Sequence, residues 1–575
     1  MGSEARDARK RHGRHYTPPA LARFLARRLL AHMPRPSVPG VLRVLDPACG
    51  DGELLLALYR EAAVRLPGVR VELTGFDLDE TALAVARRRA RAARIEVEWQ
   101  VGDFLSASEE LADSSFDAII TNPPYVRTQQ LGGATAQLLS KQFGLRGRID
   151  LTHPFVAIAP RLLCQGGALG LLCANRFITT RAGANIRVVL RSELTPVELY
   201  DLGDTKLFEA AVLPAVTIAT RTTADRDCRF VSAYEAADTE TGTATDLFEA
   251  LTGDTGGLVA HNGRTYAVEV GTLYTGEPAK SAPTWRMSRP GVDSWLADIA
   301  DRTWRSFGEV ARIRVGIKTT ADRVFISDRW HEVEPRPEPE LLFDLITHHD
   351  LVPWRIARTR DTRVLYPYDT AVPRRTPVDL AEFPGAAAYL RSHEATLAGR
   401  QYVLDSGRGW FEIWVPQRPH LWRVPKLVFP DISERPRFAL DRSGAVVNGD
   451  CYWISLADLD ASERLAYLLM GVANSALGLR FYDAVCGNRL YAGRRRWITQ
   501  YVSRLPLPDP GAPGVAEIVA LVGEFVDGRS VDDTARRILD DLVAAAFGVA
   551  SGGGPDPDHG QQGAAGEFTS GRGVA

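Results

Sequence analysis

Between residues 41 and about 220, short apolar runs alternate with segments of helical periodicity, and this alternation strongly constrains the fold. The apolar runs are VLRVLD (41–46), VELTGFD (71–77), IEVEWQVGD (95–103), FDAIITN (116–122), GALGLLCAN (167–175) and AVTIAT (215–220). Such runs are typical of strands buried on both faces, and the strand–helix–strand order favours parallel pairing. The sequence therefore predicts an α/β domain with a parallel, doubly wound sheet.

Three of the predicted strands lead into an acidic residue, and the first of them runs into a tight turn. Asp46 ends the first strand in VLRVLDPACGDGELLLAL, where Gly50 and Gly52 let the backbone approach a ligand at the strand end. Asp77 ends the next strand, where a carboxylate can accept from ribose hydroxyls, and Asp103 follows the third. These residues predict a nucleotide site along one edge of the sheet.

Two other kinds of nucleotide site fit this turn less well. Gly50 and Gly52 are followed by Glu53-Leu54-Leu55, so the Gly-x-Gly-x-x-Gly spacing of a dinucleotide site is absent. The Gly-Lys-Ser/Thr of a P-loop is absent as well. On this motif alone, a tight turn with no ligand remains the alternative.

The stretch FDAIITNPPYVRTQQ (116–130) ends a predicted strand in Asn122-Pro123-Pro124-Tyr125. Consecutive prolines fix two φ angles and remove two backbone donors, so the chain leaves the sheet in one stiff shape. Taken alone, the tetrapeptide is also compatible with a rigid turn in which Tyr125 packs into the core.

A helix is predicted upstream of these motifs. In TPPALARFLARRLLAHM (17–33), prolines occupy the first turn and Thr17 is placed to cap it. Leu21, Phe24, Leu25 and Leu29 make one apolar face.

In this order, the motifs resemble those of the γ-class adenine-N6 DNA methyltransferases of the TaqI-like type, with Thr17-Pro18-Pro19 matching their extra N-terminal motif. The resemblance implies a Rossmann-like domain that binds S-adenosylmethionine. It places Thr17 and its neighbours at the methionine part and Asp46 near the methionine amino group, with Asp77 on the ribose and Asp103 on the adenine of the cofactor. The cofactor-binding residues so expected are Thr17, Asp46, Ala48, Gly50, Gly52, Asp77, Asp103 and Asn122.

The resemblance also gives Asn-Pro-Pro-Tyr a catalytic role. The exocyclic amine of adenine is a poor nucleophile because its lone pair is delocalised into the ring. Acceptors from the Asn122 side chain and the Pro123 carbonyl, held rigid by Pro124, would favour a pyramidal nitrogen. Tyr125 would stack on the extruded base, and Phe208, in YDLGDTKLFEAAVLPAVTIAT, matches the family's second stacking position. For Phe208, an ordinary core aromatic is the alternative.

The C-terminal part resembles the specificity domain of the same enzymes. The matching segments are EVARIRVGIKTTADRVFI (309–326), PKLVFPDISERPRFALD (425–441) and ANSALGLRFYDAVCGNRLYAGRRRWITQYVSRLPLP (473–508). Their basic, amide and aromatic side chains are of the kinds that contact phosphates and base edges, although a solvated arginine turn is the alternative. The DNA-binding residues expected here are Lys318, Asn488, Arg489, Tyr491, Arg494, Arg495 and Arg496.

Composition bounds the compartment and the metal content. The 575 residues carry a formal net charge of −2, which neither requires nor excludes nucleic acid. The 6 cysteines form no Cys-x-x-Cys pair and have no histidine at zinc spacing, so reduced thiols, a cytoplasmic protein and no metal are predicted. No apolar run approaches the roughly 20 residues of a membrane span.

The predicted architecture is a Rossmann-like methyltransferase domain followed by a mixed α+β target-recognition domain. The expected boundaries are a catalytic domain at 1–225, a connector at 226–300, a target-recognition domain at 301–510, C-terminal helices at 511–549 and a disordered tail at 550–575.

The predicted function is site-specific methyl transfer from S-adenosylmethionine to a flipped-out adenine in double-stranded DNA, within a restriction-modification or phage-defence system. A separate restriction endonuclease, or another defence protein, is a partner whose existence the sequence leaves open. One alternative is an RNA or protein (glutamine) nitrogen methyltransferase, since these also use Asn-Pro-Pro-Tyr. Another is a DNA-binding specificity protein with a vestigial catalytic half. The recognition sequence and the oligomeric state are not predicted.

Overall fold

The computed structural model describes residues 16–33, 40–125, 133–147, 149–207, 213–222, 227–236, 246–275, 283–486 and 493–550. The chain divides into two compact units. Most of the first is Met1–Arg289, and the second is Pro290–Leu490 with Arg494–Gly554.

An eleven-stranded sheet forms the centre of the first unit, in the order β11-β10-β8-β6-β7-β5-β4-β1-β2-β3 with β9 paired to β10. Its strands are β1 (Val41–Asp46), β2 (Arg70–Asp77), β3 (Glu98–Val101), β4 (Phe116–Thr121), β5 (Leu163–Ala174), β6 (Thr195–Asp201), β7 (Pro214–Thr220), β8 (Arg229–Glu235), β9 (Gly257–His261), β10 (Arg264–Tyr274) and β11 (Arg286–Ser288). The six apolar runs predicted as strands correspond to β1–β5 and β7. The α/β fold class is therefore confirmed.

The sheet is mixed, whereas the sequence pattern predicted a parallel one. Strands β3, β2, β1, β4 and β5, adjacent in that order, are parallel to one another. Strand β7 lies between β5 and β6 and is antiparallel to both. It returns directly from β6, so it runs in the opposite direction. A buried apolar run looks the same in the sequence whether its strand is parallel or antiparallel to its neighbours, so the pattern did not predict this reversal.

Residues 226–300 were expected to be a connector, and the structure corrects this boundary. Strand β8 pairs with β6 in parallel, β10 pairs with β8 antiparallel, and β9 and β11 extend the same sheet. Val231, Ala233 and Val268 are buried in the core of the first unit. The segment is rich in small and polar residues, so its strands show no clear alternation of apolar and polar side chains in the sequence.

Helices flank the strands of the first unit. They are α1 (Pro19–Ala31), α2 (Glu53–Arg65), α3 (Glu80–Ala93), α4 (Phe104–Ala107), α5 (Gly133–Gln142), α6 (Thr152–Leu162), α7 (Arg176–Thr179), α8 (Ala184–Ser192) and α9 (Leu247–Thr252).

Helix α1 confirms the predicted N-terminal helix and packs on the sheet through a glycine. Leu21, Leu25 and Leu29 are fully buried. A Cβ at Gly170 in β5 would lie 3.2 Å from Leu25 Cδ1 and 3.3 Å from Leu29 Cδ2, so the missing side chain makes room for the helix. Thr17 does not cap the helix as predicted, because Pro18 occupies the N-cap position.

The second unit contains two larger sheets, ordered β13-β23-β19-β21-β17-β16 and β14-β18-β15-β22, and two strand pairs, β12-β25 and β20-β24. Its strands are β12 (Thr303–Ser306), β13 (Arg314–Val315), β14 (Ile326–Ser327), β15 (Leu342–Ile346), β16 (Leu351–Val352), β17 (Trp354–Ile356), β18 (Arg363–Leu365), β19 (Lys426–Pro430), β20 (Ile432–Ser433), β21 (Ala439–Asp441), β22 (Val446–Val447), β23 (Cys451–Ser455), β24 (Arg495–Arg496) and β25 (Pro506–Pro508). Its helices are α10 (Pro290–Arg302), α11 (Phe307–Val310), α12 (Asp322–Phe325), α13 (Pro384–Ser392), α14 (Glu394–Ala398), α15 (Gln401–Asp405), α16 (Glu463–Asn474), α17 (Ala476–Cys486), α18 (Thr499–Val502), α19 (Val515–Val526) and α20 (Asp533–Ala546).

The C-terminal helices expected at 511–549 correspond to α19 and α20, and they pack into the core of the second unit. Ile518, Val522 and Leu539 belong to the same buried cluster as Leu469 of α16. A Cβ at Gly471 would lie 2.8 Å from Ile518 Cγ2, so α16 and α19 are in close contact. The second unit therefore includes these helices in its core.

Helices of membrane-spanning length and apolarity are absent from the part of the chain that the structure describes. All 6 cysteines lie in this part, and each is buried and free of disulfide bonding.

A buried ionic cluster joins α1 to β6. Glu198 accepts hydrogen bonds from Arg28 and from the Tyr200 hydroxyl, and its Oε1 lies 2.9 Å from His32 Nε2. Burial alone would raise the pKa of Glu198, but the interactions with His32 and Arg28 outweigh it and lower the pKa to about 2. Since this pKa lies below the usual value of 4.5, the ionised carboxylate stabilises the folded state.

We expect Glu198→Gln to lower the free energy of unfolding of the first unit by about 2–3 kcal/mol at pH 7, because Arg28 loses a buried partner. The difference from the unsubstituted protein should be fully present above about pH 4.5 and shrink as the pH falls toward 2. Urea unfolding across this range measures it. Glu524→Gln, at an exposed pair with Arg529, is the control and should change stability by less than about 1 kcal/mol. Equal effects of the two substitutions would contradict a special role for Glu198.

Candidate functional site

The carboxyl ends of four neighbouring strands place the predicted site residues along one edge of the sheet. In the parallel register, Asp46 of β1 lies opposite Gly75 and Asp77 of β2 lies opposite Val101. Asp103 follows β3, and Asn122 follows β4, which pairs with β1. Because parallel strands end on the same side, the structure brings these four side chains to a common edge, as the sequence predicted.

The turn after β1 is held by backbone contacts. Asp46 Oδ1 accepts from Ala48 N at 3.1 Å, and Cys49 N donates to Phe76 O at 2.8 Å. Gly50 and Gly52 have φ values of 54° and 81°, in the left-handed region that favours glycine. The two glycines therefore allow a tight turn at the strand end, against which the Trp99 and Tyr16 rings pack.

Asp46 is a buried carboxyl group with spare acceptor capacity. Its side chain is 0% exposed, and apart from Ala48 N and the nearby Thr121 hydroxyl no donor in the described part of the chain reaches the carboxyl group. Burial raises the pKa of Asp46 to about 8. A buried carboxyl group with few donors is costly, and a cationic donor would relieve that cost. The site therefore fits the amino group of a methionine-like ligand.

Asp77 and Asp103 already support the surrounding backbone. Asp77 Oδ2 accepts from Gly50 N at 2.8 Å and Oδ1 from Asp79 N at 2.8 Å. Asp103 caps α4 by accepting from Leu105 N at 3.0 Å. A carboxylate offers about four lone-pair positions, so both side chains retain capacity for ligand hydroxyl or amino groups.

Asn-Pro-Pro-Tyr is fixed from three sides. Asn122 Nδ2 donates to Thr17 Oγ1 at 3.2 Å, which ties the loop to the start of α1. The Pro124 carbonyl accepts from Thr152 Oγ1 of α6 at 3.2 Å. The Tyr125 hydroxyl donates to Asn122 Oδ1 and lies 3.4 Å from Leu172 O of β5.

Consequently, Thr17 and Asn122 are in contact, as a shared site requires. The Asn122 oxygen, which the sequence argument assigned to an adenine amine, accepts from Tyr125 here. Tyr125 thus donates a hydrogen bond to Asn122 within the same tetrapeptide. This contact was not predicted from the sequence. Burial raises the pKa of its phenol, so the hydroxyl keeps its proton at neutral pH.

Three residues near the site were not singled out from the sequence. A Cβ at Gly75 would lie 2.9 Å from Trp99 Cζ3, and one at Gly52 would lie 2.9 Å from Trp99 Cη2, so Trp99 of β3 packs against two glycines. The Tyr16 ring lies beside Gly50, and Arg89 of α3 pairs with Asp51 at 2.6 Å. A glycine inside a strand, as at Gly75, is a sequence signal of close approach.

The predicted DNA-binding residues of the second unit fall into two groups. Arg495 makes a bidentate pair with Asp483 at 2.6 and 2.7 Å, and Arg496 pairs with Asp431 at 3.1 and 2.5 Å. These two side chains therefore hold the local fold. The side chains of Lys318 and Arg494 are exposed, and the described residues include no carboxylate paired with either. Phe208, Asn488, Arg489 and Tyr491 lie outside the described residues.

The two cysteines near the site are buried thiols. Cys49 is in the turn after β1 and Cys173 is at the end of β5, and burial raises the pKa of both thiols well above neutral. Within the described ranges, no cluster of three or more His, Cys, Asp or Glu side chains is arranged to hold a metal ion.

Comparison with known proteins gives consistent matches. Residues 72–208 match the family described as Eco57I restriction-modification methylase. The chain is 35% identical over 571 residues to type II methyltransferase M.BanIII of Aneurinibacillus aneurinilyticus, covering 94% of this chain and 97% of that protein. It is 24% identical over 496 residues to type II methyltransferase M.BstVI of Geobacillus stearothermophilus, covering 81% of this chain and 85% of that protein.

Among solved structures, the type IIL restriction-modification enzyme MmeI in complex with DNA superposes with a TM-score of 0.58 at 13% identity. The match covers 92% of this chain and 73% of that one, and it establishes a shared fold. The full-length similarity to M.BanIII goes further, because it spans both units. The chain therefore belongs to the type II methyltransferases of restriction-modification systems, whose cofactor is S-adenosylmethionine.

Proposed function

We propose that this protein is a site-specific DNA adenine-N6 methyltransferase that protects host DNA in a restriction-modification or other phage-defence system. The observation that carries the proposal is the position of Asn122 at the sheet edge, where its side-chain nitrogen donates to Thr17 and its side-chain oxygen accepts from Tyr125. Asp46, with its spare acceptor capacity, ends the neighbouring strand. The proposed amine acceptor and the proposed cofactor site would thereby lie on adjacent strand ends.

The cofactor would be held by residues of the first three strand ends. Asp46 would accept from the methionine amino group, Asp77 from the ribose hydroxyls and Asp103 from the adenine. Thr17 would contact the methionine part. Backbone of the turn from Ala48 to Gly52, whose glycines adopt left-handed φ values, would line the same pocket. When bound, S-adenosylmethionine supplies a sulfonium methyl group as the electrophile.

Asn-Pro-Pro-Tyr would prepare the target amine for attack. The Asn122 oxygen and the Pro123 carbonyl would accept the two amine hydrogens, which favours a pyramidal nitrogen with an available lone pair. The cofactor would supply its methyl group to this nitrogen with cleavage of the sulfur–methyl bond, and the nitrogen would then lose one proton to water. The Thr17 and Thr152 hydrogen bonds hold the loop, so little reorganisation is needed.

Tyr125 would exchange its contact with Asn122 for a contact with the base. The Tyr125 hydroxyl donates to Asn122 Oδ1, the acceptor proposed for the adenine amine. An entering adenine would replace the hydroxyl at this oxygen, and the Tyr125 ring would stack on the base. Phe208 is proposed as the second stacking residue.

The second unit would recognise the DNA target. Exposed Lys318 and Arg494 are suited to phosphates, and Asn488, Arg489 and Tyr491 are proposed for the same surface. Arg495 and Arg496 are already neutralised by carboxylates, so we assign them a structural role in presenting this surface. A restriction endonuclease of the same specificity is the expected partner.

Substrate class is the first test. Purified protein with labelled S-adenosylmethionine should label double-stranded DNA on adenine N6 and leave RNA and release factors unlabelled. Labelling of RNA or of a glutamine side chain would favour the alternative nitrogen methyltransferases. No transfer despite cofactor and DNA binding would indicate a specificity protein with a vestigial catalytic half.

Substitutions at the tetrapeptide test the assigned roles. Asn122→Ala should lower the rate of methyl transfer by about 100-fold or more, because one preorganised acceptor is lost, while cofactor affinity changes little. Tyr125→Ala should lower it by about 10- to 100-fold, because base stacking contributes about 1–3 kcal/mol. Tyr125→Phe keeps the stacking face and should stay within about threefold of the unsubstituted enzyme. Single-turnover kinetics measure all three, and a Tyr125→Phe enzyme as slow as Tyr125→Ala would contradict the stacking role.

Cofactor binding should depend on pH through Asp46. Its pKa of about 8 means that the free protein carries a protonated carboxyl at neutral pH, and binding of an ammonium group must release that proton. Affinity for S-adenosylhomocysteine should therefore rise as the pH increases from 6 toward 8, by up to about tenfold per unit. Titration calorimetry in buffers of different ionisation enthalpy also counts the released proton. Asp46→Asn should bind more weakly and lack this pH dependence; an unchanged pH profile would exclude Asp46 as the amine acceptor.

A further inference from the structure

The second unit contains an open cavity of about 630 Å³ whose lining is rich in arginine. Arg435 and Arg437 lie in the segment before β21, and Arg494 lies directly before β24. His348, after β15, and Asp450, before β23, line the same cavity. These residues come from separate parts of the chain and meet only in the fold.

The carboxylates that line the cavity either pair with a basic side chain or are exposed to solvent. Asp431 accepts a bidentate pair from Arg496, and Glu434 is exposed to solvent. Asp450 Oδ2 lies 2.5 Å from His348 Nδ1.

Arg437 is different from the paired arginines. Its side chain is half-buried, and its Nη1 donates to Leu351 O at 3.2 Å, which holds the guanidinium in place. No carboxylate among the described residues pairs with it. Burial lowers the pKa of Arg437, which shows that the cation is incompletely compensated. A partly desolvated cation that faces a cavity is suited to a ligand acceptor.

An acceptor with spare capacity lines the same cavity. Asp450 Oδ1 is buried, and apart from His348 and the weakly donating Cys451 thiol no donor within the part of the chain that the structure covers reaches this carboxylate. A phosphate presents acceptors only and would be repelled by this carboxylate. In the major groove, by contrast, a G·C pair presents guanine O6 and N7 as acceptors and cytosine N4 as a donor. Arg437 and Asp450 together match that pattern.

We propose that this cavity reads one G·C base pair of the target, with Arg437 donating to the guanine and Asp450 accepting from the cytosine. The assignment rests on the proposed action on double-stranded DNA. Exposed Arg435 and Arg494 flank the cavity and are suited to the phosphates on either side of the pair.

The sequence context of methylation tests this assignment. Full-length protein with S-adenosylmethionine is given unmethylated bacterial genomic DNA, and methylated positions are mapped by sequencing. Arg437→Ala should lose discrimination at one G·C position of the recognition sequence, by about 10- to 100-fold, which corresponds to about 1–3 kcal/mol for a bidentate contact. Asp450→Asn should lose discrimination at the same position. Arg437→Lys keeps the charge without the bidentate fork, so it should methylate DNA and yet be relaxed at that position.

Two arginine substitutions serve as matched controls. Arg435→Ala should weaken binding to all sequences and reduce the salt dependence of binding, without changing the recognition sequence. Arg391→Ala, at an exposed position of α13 outside the cavity, should change neither property.

Several outcomes would overturn the assignment. One is a recognition sequence that contains no G·C pair. Another is that Arg437→Ala and Asp450→Asn relax base specificity at different positions of the recognition sequence. A third is that these variants methylate all sites less but keep the same specificity. If Arg437→Ala fails to fold in a melting assay, Arg437→Lys alone decides, and unaltered specificity in that variant refutes the proposal. Failure of the unsubstituted protein to methylate any DNA would instead refute the proposed function.

Discussion

The parallel register of β1, β2, β3 and β4 is the constraint on which the first unit depends. Backbone pairing fixes where each strand ends, so the residue after each end reaches the same edge whatever the other strands carry. Asp46, Asp77 and Asn122 therefore lie along the same edge of the sheet. The chemistry is distributed over short loops, while the sheet supplies the common geometry.

Two buried polar groups at this edge have different energetic consequences. Asp46 has spare acceptor capacity, which costs folding free energy that a bound cation returns. Asn122 is satisfied by Thr17 and Tyr125, so its amide is held in place before any substrate arrives. The first arrangement favours ligand binding, and the second favours a defined geometry.

Residues with a local signal were predicted well from sequence. The strand-end acids, the two glycines of the turn and helix α1 all follow from short motifs, and the structure brings the acids together. Direction and pairing were not predictable from such motifs, which is why the reversed β7 and the strands between 226 and 289 were missed. Side-chain partners are also set by the fold: Arg494, Arg495 and Arg496 read as one basic run, yet two of them pair with Asp483 and Asp431. The Arg437 and Asp450 cavity likewise has no signature in a linear chain.

The packing of Trp99 against Gly52 and Gly75 has an evolutionary consequence. A Cβ at Gly75 would also lie 3.0 Å from Leu55 Cδ1, so this position tolerates no side chain while the indole remains. Position 52 favours glycine because its φ is 81°, whatever residue stands at 99. Gly75 has no such backbone constraint, so only the side chains packed against it exclude a larger residue. Among related chains, positions 75 and 99 should therefore vary together, with a larger residue at 75 appearing only where 99 has become small.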